Sequence, residues 1–366
     1  MIRWPGRTPR NDPEFQRDLH RILNSRLFGE VTSRTRHPPY DHALDNTRGL
    51  NLPRQHTPQN RGLTQRGIGI GCSDRRLSHH RGAWLVWQRC ATMSVMAHAV
   101  DLDRYCDRIS YDGPREPTLA VLEHLQSAHA ASIPFENIDV VFGRPINVDG
   151  ASVEEKLVTL RRGGYCFEQN RLFADVLTSI GFEVTEVLAR VRPPGLEAVT
   201  PRTHMTLCVR LEGADWLADV GFGAGEPRLA VPLDGTARPD GWGEVRVVDE
   251  GESTLVLQRS TSDGWRGLYA FAFEPVFPMD YVMGNHFTST HPTSPFVRGL
   301  TLQLVTADVR HVVRSGKHTV IAAGEELTQQ VDADVLTSLL DDVMRIQLPS
   351  DDRRALFDLV FTHQSG

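Results

Sequence analysis

The 366-residue chain has no stretch approaching the roughly 20 consecutive apolar residues needed to cross a bilayer, so a membrane-spanning protein is not expected. Its first twenty residues, MIRWPGRTPRNDPEFQRDLH, contain no apolar h-region, and no secretory signal is expected either. The sequence has no CxxC pair. Its five cysteines, Cys72, Cys90, Cys106, Cys166 and Cys208, are odd in number and scattered. That excludes a disulfide framework or zinc site as the organising principle and fits a reducing, cytoplasmic setting. No lysine occurs in residues 1–92, and residues 97–366 contain no internal repeat or low-complexity tract.

What is present is an ordinary globular composition, 40% hydrophobic and 23% charged, rich enough in apolar side chains for a sizeable core. The length exceeds one ordinary core, so two or three domains are expected. A net charge of −6 argues against nucleic acid or an anionic membrane as the main partner. The charge is uneven. Residues 1–92 hold 16 Arg and seven acidic residues, a balance of +9; the remainder holds 24 basic and 39 acidic residues, a balance of −15. Residues 1–92 are dominated by Arg, Pro, His, Gly and Asn, with little apolar surface to offset ordering entropy. They are expected to be a disordered extension, or a start-site overcall upstream of Met93 or Met96.

From Val100 the pattern becomes that of a folded domain. Pro117 opens a helix whose apolar positions, Leu119, Leu122, Leu125 and Ala128, recur at helical steps until Pro134 breaks it. A second helix is expected from about Val153 to Leu160. A third runs from Tyr165 to Ile180, with Gly163-Gly164 before it and Gly181 as its stop. After Gly181 the period switches to two. FEVTEVLARV, HMTLCVRL, DWLADV, EVRVVD, TLVLQRS and LYAFAF read as short antiparallel strands, a barrel or sandwich. Beyond Pro278 the reading turns mixed: strands in LTLQLVTADVRHVVR and KHTVIAAG, helices in VDADVLTSLLDDVM and DRRALFDLV. The fold class is therefore α+β.

Three residues carry candidate chemistry. Cys166 falls in the first turn of the third helix, where unpaired N–H groups favour a thiolate and could hold an oxyanion. His204, in Pro201-Arg202-Thr203-His204-Met205, begins a strand and could act as a base. Asp219 ends the apolar strand Trp216-Leu217-Ala218, where a buried carboxylate needs a partner. Each has a plainer explanation alone: a small buried thiol, a strand histidine, a turn-initiating aspartate. Together they form the sequence of a nucleophile, a base and an orienting carboxylate. A Gly-rich segment, Gly221-Phe222-Gly223, follows directly; GIGIG at 67–71 has similar spacing in a stretch not expected to fold.

These segments resemble the arylamine N-acetyltransferase family, of the bacterial type. RRGGYCFEQN (161–170) is similar to its active-site signature, PRTHM (201–205) to its histidine segment, and WLADVGFG (216–223) to its aspartate segment. RISYDGPREPTLAVLEHLQSAHAASIPFENID, GRPINVD and NHFTSTHPTSPF fit as well, so the likeness spans about 97–366. The resemblance implies a helical bundle carrying the cysteine over 97–182, an antiparallel β-barrel carrying the histidine and aspartate over 183–290, and an α/β lid over 291–366, around a papain-like core. It implies acetyl-CoA as acetyl donor, no metal, and an aromatic amine or hydrazine as acceptor, through a ping-pong route with Cys166 acetylated. It places Gly221, Phe222, Gly223 and Phe296 at the CoA, and Phe135 and Phe222 at the acceptor. The competing expectations are another papain-like cysteine enzyme, a peptidase or transglutaminase-like protein, or a catalytically silent scaffold. Oligomeric state is not readable from the sequence.

Overall fold

The computed structural model describes residues 98–362 apart from Glu197, Ala224, Glu226 and Ala323. The expected extension over 1–92, with Cys72 and Cys90, lies outside the described residues. The first described elements are helical. Helix α1 (Leu102–Ile109) is capped by Asp101, whose side chain accepts the Arg104 N–H, and α2 (Leu119–Ser132) by Thr118. The α1 segment, LDRYCDRI, is short and half charged. It nevertheless forms two turns because Tyr105, Cys106 and Ile109 lie on one buried face. After the short strand β1 (Phe135–Glu136) and α3 (Ile138–Val141), helix α4 (Gly150–Glu154) runs on into a π-turn, Glu155–Thr159. The helix expected from Val153 thus starts three residues earlier and ends in wider coils.

Helix α5 (Cys166–Ile180) is the central element. Its third residue, Glu168, returns a carboxylate oxygen to the Tyr165 N–H at 3.1 Å, and Gly181 at φ 106° stops it. An eight-stranded antiparallel sheet follows. Its strands are β2 (Glu183–Val191), β3 (Arg202–Leu211), β4 (Ala214–Ala218), β5 (Val231–Pro232), β6 (Arg238–Pro239), β7 (Glu244–Asp249), β8 (Leu255–Thr261) and β9 (Gly264–Phe271). The order is β5-β4-β3-β2-β9-β8-β7-β6, and β5 packs back on β7, so the sheet is a nearly closed barrel. Its interior holds Val187, Ala189, Cys208, Leu217, Val247, Leu257 and Tyr269. The opposite face of β3, with Met205, Leu207 and Val209, packs on α5 and the first two helices.

Helix α6 (Pro278–Thr290) then crosses β3. Only a mixed pattern was legible there, since three of its large apolar residues, Met279, Val282 and Met283, are exposed. Helix α7 (Pro295–Arg298) leads to β10 (Thr301–Val305), β11 (Val309–Arg314), β12 (Lys317–Ala322) and β13 (Glu325–Gln330). These form a second antiparallel sheet, which β1 joins by pairing with β10. Helix α8 (Ala333–Ser338), a second π-turn (Leu339–Val343) and α9 (Ser350–Thr362) cover one face of it.

Candidate active site

The site assembles where the start of α5 meets β3 and the chain leaving β4. Two glycines precede the helix because side chains would not fit. A Cβ on Gly163 would stand 2.1 Å from the Pro134 carbonyl oxygen, and one on Gly164 would meet Glu168 at 2.8 Å. The turn is pinned from three sides. Glu136 N–H donates to the Gly164 carbonyl, Gln169 Nε2 to the Pro134 carbonyl at 2.9 Å, and buried Arg162 pairs with Glu136 and Asp139. Lys156, from the first π-turn, bridges Asp139 and Glu168 at 2.7 Å each. Buried charges tolerate this only because each is paired. The result is a fixed helix entry that presents Cys166 at N1, where its own amide has no intrahelical acceptor.

Cys166 is 4% exposed, and its Sγ lies 3.6 Å from the Thr203 carbonyl oxygen, beside the strand residue that follows. His204 is 2% exposed. Its Nε2 is 2.7 Å from Asp219 Oδ2, and Cys166 acts on the same ring from the start of α5. With Nε2 committed to the carboxylate, Nδ1 is the nitrogen left for the sulfur. Burial would lower the imidazole's affinity for a proton, but the adjacent Asp219 charge, its hydrogen bond and Cys166 outweigh that and push His204 up to about 10. Asp219 is fully buried. Desolvation raises it, yet His204, Asn170 and the Gly221 amide hold it below the usual carboxylate value. The three residues singled out by sequence are therefore in mutual reach.

Two residues not singled out complete the carboxylate's shell. Tyr269 donates its hydroxyl to Asp219 Oδ2 at 2.7 Å, and its ring lies 4.7 Å from the His204 ring. Asn170 donates from Nδ2 to Asp219 Oδ1 at 2.9 Å and to the Met205 carbonyl at 2.7 Å, and its Oδ1 accepts the Val220 N–H. One amide side chain thus ties the helix of Cys166 to the strand of His204 and the loop of Asp219. Asn170 stands four residues after Cys166, on the same helix face, which is a signal the sequence did contain. Tyr269 reaches the site through the pairings of β9 with β2 and β8, which no local pattern announces.

The glycine-rich loop after Asp219 lies against the nucleophile. A Cβ at Gly221 would approach Cys166 Cα to 2.8 Å, and one at Gly223, whose φ is 42°, would meet the Phe135 ring at 2.7 Å. Phe222 packs edge-on against His204, with ring centres 5.1 Å apart. Phe135 is buried and contacts Phe296, 5.7 Å away, which in turn meets Tyr165 edge-on. All five positions expected at donor or acceptor therefore surround the start of α5. Burial pushes the thiols of the other described cysteines, Cys106 and Cys208, up, which leaves them protonated. Among the described residues no group of three metal-ligating side chains occurs, and no helix is long and apolar enough to cross a membrane.

The pattern of the family described as N-acetyltransferase matches residues 118–353. The arylamine N-acetyltransferase of Mycobacterium tuberculosis is 36% identical over 252 residues, covering 67% of this chain and 88% of that protein. The Escherichia coli K12 protein of the same name is 39% identical over 221 residues, covering 60% of this chain and 75% of that one. Among solved structures, the M. tuberculosis enzyme superposes with a TM-score of 0.67 at 35% identity, covering 71% of this chain and 99% of its own. The Mycobacterium marinum enzyme in complex with CoA gives 0.67 at 35%, covering 72% and 99%.

Proposed function

The chain belongs to this N-acetyltransferase family and is an acyltransferase, and from that premise we propose that it moves an acetyl group from acetyl-CoA to an aromatic amine or hydrazine through an acetyl-Cys166 intermediate. The observation that carries the reading is the 2.7 Å contact between His204 and Asp219, with Cys166 beside them at a helix N-terminus, its sulfur 3.6 Å from the Thr203 carbonyl oxygen.

The steps follow from the geometry. His204 takes the thiol proton, and Asp219 stabilises the imidazolium while fixing the ring. The thiolate attacks the thioester carbonyl, and the oxyanion accepts from the free amide at the start of α5. The carbon–sulfur bond to CoA breaks, and the departing thiolate takes its proton from His204. The acetyl group now sits on Cys166 as a thioester, so little free energy is stored or lost. An amine then attacks that carbonyl, His204 accepts the amine proton, and collapse returns the thiolate and releases the amide. The Gly221–Gly223 backbone gives the donor's chain room to reach the sulfur, with Phe296 beside it. Phe135 and Phe222 offer aromatic faces to a flat acceptor. The placement of a helix-borne cysteine against a barrel strand bearing histidine is similar to a papain-like core, with the segment after residue 291 as its lid. The free thiols of Cys106, Cys166 and Cys208 fit action in the cytoplasm.

Steady-state rates over a grid of acetyl-CoA and arylamine concentrations test the order. Parallel double-reciprocal lines are expected, because the first product leaves before the amine attacks. Intersecting lines would contradict a covalent intermediate.

A further inference from the structure

A cavity of about 410 Å³ lies away from Cys166, where α1 and α2 meet the helix-covered face of the second sheet. Its walls mix apolar side chains, among them Leu304, Val309 and Leu339, with the paired rings of His311 and His318. The volume is that of a small-molecule site.

Its charge is arranged by a repeated device. The first π-turn ends with Leu160 N–H on the Glu155 carbonyl and Arg162 N–H on the Lys156 carbonyl; the residue between, Arg161, has φ 51°. The second ends with Met344 N–H on the Leu339 carbonyl and Ile346 N–H on the Leu340 carbonyl; the residue between, Arg345, has φ 52°. The hydrogen-bond spacing is the same in both, although the two turns are far apart in sequence. Such left-handed stops ordinarily take Gly or Asn, and a side chain like arginine is strained there. Both arginines line this one cavity, are exposed, and have no hydrogen-bond or carboxylate partner among the described residues. A third, Arg108, lines it too, but its guanidinium is held by the carbonyls of Leu157 and Ser132. Burial and the neighbouring Arg161 charge bring Arg108 down to about 10, so the cations oppose one another. The one lining carboxylate is Asp342, which accepts from Ser338. Burial keeps both histidines neutral, His311 at about 4 and His318 at about 3, so they add hydrogen-bonding surface and no charge.

We propose that this cavity binds a small organic carboxylate, its anion between Arg161 and Arg345 and its apolar body against Leu304, Val309 and Leu339. Three arginines against one aspartate leave an excess of positive charge suited to an anion, with Arg161 and Arg345 the two not tied to backbone carbonyls, and the apolar walls favour a ligand with a hydrocarbon body over inorganic phosphate. This site is separate from the acetyl-transfer centre and shares no residue with it.

Calorimetric titration of the full chain, alkylated at Cys166, with benzoate, 3-phenylpropionate and octanoate tests the proposal. The corresponding amides and inorganic phosphate serve as controls. At least one carboxylate should bind saturably, tenfold or more tighter than its amide, with shifts in the ring resonances of His311 and His318. Arg161→Asn and Arg345→Asn suit the left-handed backbone, so their melting midpoints should match the parent while carboxylate affinity falls about tenfold in each. Arg345→Asn should leave acetyl transfer unchanged. Equal binding of acid and amide, tighter binding of phosphate, no saturable binding by any acid, or full affinity in both variants would overturn the assignment.

Discussion

At the scale of residues, the proposed chemistry turns on the proton that Cys166 yields to His204 while Asp219 holds the imidazole. Replacing Asp219 by Asn removes the negative charge that sustains the His204 imidazolium and leaves the packing volume unchanged. Acetylation of the enzyme by acetyl-CoA is expected to slow by about a thousandfold or more, with near-parental circular dichroism. A variant that is acetylated at the parental rate would remove Asp219 from the mechanism. The same pair should be visible directly. With His204 held at about 10, its ring resonances should not titrate between pH 6 and 8 in the parent, and should do so in Asp219→Asn. Proton NMR of the imidazole region reads this.

At the scale of elements, the loop from Asp219 to Gly223 is pressed onto the first turn of α5. Gly221→Ala places a methyl 2.8 Å from Cys166 Cα, so loop and helix must part. The expected cost is about 1–3 kcal/mol of stability, and a larger relative loss in the acetylation rate than in melting midpoint. An unchanged rate would show that the loop can yield without disturbing the thiol. Elements also show what a sequence can disclose. The start of α5 was legible because Gly163-Gly164 before Tyr165 and Gly181 after Ile180 are local signals, and six of the eight barrel strands were legible from their alternation, the two-residue β5 and β6 being too short to show one. Helix α6 was not, because its exposed Met279, Val282 and Met283 blur the apolar stripe that marks a helix. Nor were β1 and its pairing with β10, since Phe135 and Gln303 meet across more than 160 residues and no local pattern encodes that register. In the site, Cys166, His204 and Asp219 were readable as residue types in order. Asn170's place on the Cys166 face of α5 could be read too, but its hydrogen bonds could not, nor could Tyr269 at all, because their partners are brought near only by the fold.

At the scale of the whole molecule, buried histidines set opposite limits on stability. His129 is enclosed between Tyr105 and Gln169 and pushed by burial to about 4, and His311 and His318 are likewise kept neutral. Below pH 6.5 the unfolded chain binds protons these rings refuse, so stability should fall as pH drops from 6.5 toward 4. The limit is about 1.4 kcal/mol per pH unit for each group. His204 acts in the other direction. Its raised value contributes stability that is complete below pH 6.5 and is lost as pH rises through about 10. Thermal midpoints across pH 4 to 10 should therefore form a dome with its top near neutrality, and Asp219→Asn should flatten the alkaline side. An alkaline limb identical in that variant would mean that His204 is not the group responsible. Across the same whole, the described residues contain all three members of the triad and the side chains that brace them. Removal of residues 1–92 is accordingly expected to leave both turnover and midpoint unchanged.

The most direct test is the intact mass of the protein after brief exposure to acetyl-CoA with no amine present. The expected result is a gain of one acetyl group, mapped to Cys166, discharged when an arylamine is added, and missing in Cys166→Ala. A parent enzyme that turns over arylamine yet never carries the acetyl group, or carries it equally in Cys166→Ala, would contradict the account.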